Sequence, residues 1–140
     1  MMVVDANSIV KLAIMEENSE AAFKAIGAET SRREPILAPD IVMAEALNAL
    51  WVNFAKKKRI TAEQLDQAEA AVVAVIEELR IIPTIELESV AMRISRDHGL
   101  TVYDSLYAAA GLMNDVPLLT FDEKIRNKAK AIGIALVEYE

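Results

Sequence analysis

The chain of 140 residues has no cysteine. A disulfide framework and a thiolate metal site are therefore excluded, and the redox compartment leaves no mark. Aromatic side chains are few, at 5% against a hydrophobic share of 54%, so Ala, Val, Leu and Ile must build the core. No run of about 18 apolar residues occurs, which predicts no membrane-spanning helix. The opening Met1-Met2-Val3-Val4-Asp5 lacks a basic segment and is broken by Asp5, unlike a secretion signal. A cytoplasmic location is the expectation. The chain holds a single histidine, His98, just before Gly99; it reads as a helix C-terminal residue rather than a catalytic base.

Positive charge is also short. Fifteen Lys and Arg against 22 Asp and Glu leave a formal charge of −7, the wrong sign for a general nucleic-acid coat. An enzyme that meets nucleic acid through a bound cation remains compatible, because the ion inverts the local field. A mean hydropathy of +0.23 is high for a domain of this size and predicts apolar surface covered by another chain. The length suits one domain over residues 1–140, and no repeat, low-complexity tract or linker divides it.

Short apolar runs alternate with helical patterns. Met1–Val4, Ile36–Ala38, Arg80–Thr84, Leu118–Phe121 and Ala135–Val137 read as strands. Helices are expected over Asn7–Met15, Ala21–Ile26, Ile41 to about Lys57, and from the capping box at Thr61–Gln64 to Leu79. Three more cover Glu86–Asp97, Ser105–Asn114 and Glu123–Ile132. Asp40 is placed to cap the helix from Ile41. Alternation of this kind calls for an α/β layered fold with a mainly parallel sheet, and Pro83 puts the third strand at an edge.

Ligands in such sheets bind beyond the carboxyl ends of the strands. Asp5 and Asp122 directly follow strands, and Asp104 opens a helix that can face the same crevice. Each of the three is also a plausible helix cap, a role compatible with ligation because a carboxylate has two oxygens. Glu45 lies in the apolar run Val42–Leu50, where an ionised side chain needs a partner. The alternative places Glu45 on the solvent side with Asn48 and Asn53. Should the four acids converge, they would need a cation to stay ionised together, and oxygen ligands suit Mg²⁺ or Mn²⁺. Thr120 shares a strand face with Asp122, and Asn7 lies two residues past Asp5; both are candidate supports.

Four segments carry a family resemblance: Val3-Val4-Asp5-Ala6-Asn7, Met43-Ala44-Glu45-Ala46-Leu47-Asn48, Leu100-Thr101-Val102-Tyr103-Asp104-Ser105-Leu106-Tyr107, and Leu119-Thr120-Phe121-Asp122. Together and in this order, they resemble the PIN-domain family, in particular its VapC-type toxins from prokaryotic toxin–antitoxin pairs. The resemblance implies a three-layer α/β/α fold with a five-stranded parallel sheet in the order 3-2-1-4-5. It implies an Mg²⁺- or Mn²⁺-dependent endoribonuclease, usually a homodimer, restrained by a cognate antitoxin. Asp5, Glu45, Asp104 and Asp122 match the acidic quartet that holds the metal, with Asn7 and Thr120 at its supporting positions. Asn7 stands where many members have Ser or Thr, and Ser105 where Ala is common; neither change removes a ligand.

The leading expectation is RNA hydrolysis by metal-activated water, leaving 5′-phosphate and 3′-hydroxyl ends. Lys56–Arg59, Arg93, Arg96, Lys124 and Arg126 are candidates for steering the RNA backbone. Two alternatives are a non-catalytic interaction module of the same fold and a phosphoryl-transfer protein using Asp5. Against the last, Asn7 stands where a second acid is needed.

Overall fold

The computed structural model describes residues 1–139. Four parallel strands, β1 (Met2–Val4), β2 (Ile36–Pro39), β3 (Arg80–Ile82) and β4 (Leu118–Leu119), form a sheet in the order β3-β2-β1-β4. Val3 pairs with Leu37 on one side and with Leu118 on the other. β1, β2 and β4 are buried along their whole length, which is why they read as unbroken apolar runs. β3 is the exposed edge, as Pro83 requires.

Helices α1 (Ala6–Ala13), α2 (Ser19–Ser31), α3 (Val42–Trp51) and α4 (Ala62–Glu77) pack among themselves. Helices α5 (Thr84–His98), α6 (Val102–Asn114) and α7 (Glu123–Ile132) form the other group, with α6 lying on β1, β2 and β4. The result is the three-layer α/β/α arrangement.

Three expectations change. The fifth strand is reduced to a single parallel bridge, Leu118 to Leu136, in the place the order 3-2-1-4-5 assigns to it. Within Ala135–Val137, Leu118 donates to the Ala135 carbonyl and Val137 donates to that of Leu118. β4, with two residues, offers too short an edge for a longer ladder. Second, Asp40 does not cap α3. Its backbone amide still bonds to Ile82, which holds it to the sheet, so its carboxylate instead accepts from the amide and hydroxyl of Thr84 and starts α5. Third, α2 runs through Gly27 to Ser31, its last turn held by Glu29 accepting from Arg32.

Elsewhere the local chemistry follows the sequence. Thr61 and Gln64 form the reciprocal capping box of α4. Val42, Ala46 and Leu50 face inward from α3, while Trp51 is about half exposed. The α3 helix continues into a π-helical turn over Val52–Lys56, within which Asn53 Oδ1 is buried with no hydrogen-bond partner among the described residues.

Candidate metal centre

Asp5 directly follows β1 and caps α1. Its Oδ1 accepts from the Ser8 amide at 2.9 Å and from the Ser8 hydroxyl at 2.6 Å. That hydroxyl also lies 3.3 Å from the Leu119 carbonyl, so Ser8 ties the end of β1 to β4. Asp122 caps α7, accepting from the Lys124 amide at 2.8 Å. Its own amide donates to Thr120 Oγ1 at 3.1 Å. Asp104 is not a cap. Thr101 takes that role by accepting from the Asp104 amide, and the Asp104 carboxylate is left available. Glu45 sits in the first turn of α3 and accepts from the Tyr107 hydroxyl at 2.7 Å.

These four acids line one hollow of about 200 Å³, together with Ala6, Asn7, Asn48, Ala49, Tyr107 and Ile125. Glu45 thus faces the hollow; of the two asparagines named in the solvent-side alternative, Asn53 is buried elsewhere and Asn48 lines the same hollow. Thr120 lies behind it, fully buried. His98 is elsewhere; its carbonyl accepts from Lys128 at the end of α5.

The acids feel one another. Burial raises the Asp5 pKa, opposed by hydrogen bonds from Ser8 and Thr120, and the Asp122 charge raises it further. Burial raises Glu45, with the Tyr107 hydrogen bond opposing and the charges of Asp104 and Asp5 adding to the rise. Asp104 is raised by burial and then by Asp122. Burial is the leading cause in all three, and the negative charge of neighbouring acids adds to it.

Two contributors escaped the sequence. Ser8 sits three residues after a capping Asp, a spacing that signals the amide bond but not the hydroxyl one. Tyr107 follows Asp104 by three residues, one helical turn, and so shares its face. Ser105, the departure from Ala, is fully buried and accepts from Ser95 at 2.8 Å, which joins α6 to α5.

A parallel sheet with an acidic hollow beyond the ends of β1 and β4 defines a class of protein that gathers carboxylates at a strand switch. The chain belongs to the PIN-domain family, whose profile matches residues 2–131. It is 28% identical over 131 residues to Ribonuclease VapC3 of Pyrobaculum aerophilum, spanning 94% of this chain and 96% of that protein. VapC20 of Mycobacterium tuberculosis, a sarcin–ricin-loop-cleaving toxin, shares the fold with a TM-score of 0.70 at 16% identity over 99% of each chain. VapBC2 of Rickettsia felis, solved with a DNA fragment from their promoter, does so with a TM-score of 0.63 at 18% identity over 99% of this chain and 98% of that one.

Proposed function

We propose that this protein is a divalent-metal-dependent endoribonuclease, the toxin of a toxin–antitoxin pair, whose Asp5, Glu45, Asp104 and Asp122 hold Mg²⁺ or Mn²⁺. The single observation that carries this is the meeting of those four carboxylates, from four separate segments, in one hollow. The likeness to Ribonuclease VapC3 over nearly the full length of both chains supports the reaction class.

The donor set fits a hard cation: oxygen only, with carboxylates supplemented by the amides of Asn7 and Asn48. Among the described residues, no three acids close into a tight coordinating group. Mg²⁺ keeps several of its waters, so the four acids can share it with some of them reaching it through water. When bound, the ion supplies positive charge that makes water nucleophilic near neutral pH and steadies the leaving oxygen. The chain's own part is to orient. Ser8 and Thr120 restrain Asp5, Thr120 also fixes the amide of Asp122, and Asn7 lines the hollow beside them. Cleavage in this way leaves 5′-phosphate and 3′-hydroxyl ends.

The partners follow from the same reading: RNA as substrate, a cognate antitoxin and a second copy of this chain. Exposed Trp51, Ile85, Met92, Tyr103 and Met113 supply apolar surface for a protein partner. Among the described residues no helix is long and apolar enough to cross a membrane.

The test is cleavage of RNA with Mn²⁺, with and without EDTA. Asp5→Asn and Asp104→Asn are expected each to cut the rate by about 100-fold or more, the scale on which groups acting directly on the reaction register. Cleavage that persists in EDTA, or undiminished activity in both variants, overturns the reading.

A further inference from the structure

Tyr107 is 2% exposed, yet its ring alone does not account for it. A buried tyrosine in a purely packing role satisfies its hydroxyl wherever a backbone carbonyl is near. Here the hydroxyl donates instead to Glu45 Oε1, a carboxylate from another helix layer and 62 residues away in sequence. Ala6, the residue after Asp5, lines the same hollow, so Tyr107 stands among three of the four acid-bearing segments. Asp104 lies one turn earlier on the same face of α6.

Glu45 needs such a restraint more than the other acids do. Asp5 and Asp122 are locked by the helices they cap, and Asp104 lies on a helix capped by Thr101. Glu45 has a longer, freer side chain, on a helix whose start has no side-chain cap. Among the described residues, its hydrogen bond to Tyr107 goes to Oε1, and Oε2 has none.

We propose that Tyr107 is a positioning residue for the metal centre: it holds Glu45 Oε1 so that Oε2 is turned to the cation, and it makes α6 set the spacing between Glu45 and Asp104. This rests on the metal-dependent nuclease reading. Replacing the hydroxyl by hydrogen leaves the ring to fill the same volume, so the role is separable from packing.

The experiment is titration calorimetry of Mn²⁺ into the full chain stripped with EDTA and dialysed. The proteins are wild type, Tyr107→Phe, Glu45→Gln, the double variant, and Tyr103→Phe as an exposed-tyrosine control. Tyr107→Phe is expected to weaken Mn²⁺ binding by about ten-fold or more, as loss of an outer partner of a ligand does. Tyr103→Phe should leave binding unchanged. In the Glu45→Gln background the same Tyr107 change should add less than about two-fold, because the two residues act as one unit. RNA cleavage by Tyr107→Phe should recover at saturating Mn²⁺. Equal binding by wild type and Tyr107→Phe overturns the proposal, as does a full additional loss in the Glu45→Gln background. A wild-type protein that binds no Mn²⁺ overturns the nuclease reading itself.

Discussion

Ser8 has no exposed surface, and its single hydroxyl proton is aimed at Asp5 Oδ1, with the Leu119 carbonyl close behind. Truncation to alanine would leave the Ser8 amide on Asp5 but remove the hydroxyl, so a buried acceptor is left short of one bond. Ser8→Ala is expected to lower stability by about 1–3 kcal/mol at pH 7, the usual cost of an under-satisfied buried group next to a charge. Urea denaturation measures it, and a loss below about 0.5 kcal/mol would deny Ser8 the role. Asp5, Glu45, Asp104 and Asp122 were visible in the chain because each acid interrupts or adjoins apolar sequence. Ser8 and Tyr107 were not, because a hydroxyl among apolar neighbours carries no sign of what it will face. Asp104 was only partly legible: Thr101 takes the cap, which frees the carboxylate that a capping role would have engaged.

At the scale of elements, the helix expected to end at Ile26 runs on through Gly27 to Ser31. Gly27 is exposed, and an added Cβ would meet nothing within 4 Å. The helix continues because Ile26 just before Gly27 and Glu29 just after it are buried, and tertiary contact overrides a penalty of about 1 kcal/mol for a mid-helix glycine. Gly27→Ala is therefore expected to raise stability by about 0.5–1 kcal/mol. The signature would be a higher urea midpoint at unchanged slope; a lower midpoint would contradict it. Asp40 shows the opposite limit. Its sequence context suits capping α3, yet the β2–β3 pairing turns it toward Thr84, a partner 44 residues away that no local rule names.

For the whole molecule, the acids set the pH response. Asp5, Glu45 and Asp104 bind their protons more tightly in the folded chain than ordinary carboxylates do. The folded state thus carries more protons than the unfolded one above about pH 4, and the contribution of these groups to stability falls as pH rises through that range. Exposed Asp97, lowered by Arg96, acts in the opposite sense but is well solvated. Thermal melts in EDTA should therefore show a fall toward neutral pH that is smaller in Asp5→Asn, whose amide oxygen can still cap α1. Mn²⁺ should lift the neutral-pH loss in the wild type, because binding to the folded state alone stabilises it. Identical slopes for wild type and Asp5→Asn would exclude Asp5 as a source.

Strand and helix alternation, the buried character of β1, β2 and β4, the edge position of β3 and the four acids all came from the chain alone. They rest on periodicity, on proline's missing donor and on the cost of burying charge, which act within a few residues. The length of the fifth strand, the partner of Asp40, the continuation of α2 and the hydroxyls that grip Asp5 and Glu45 were decided in three dimensions. Each depends on which distant segment the sheet brings alongside, and that is a property of the packed layers.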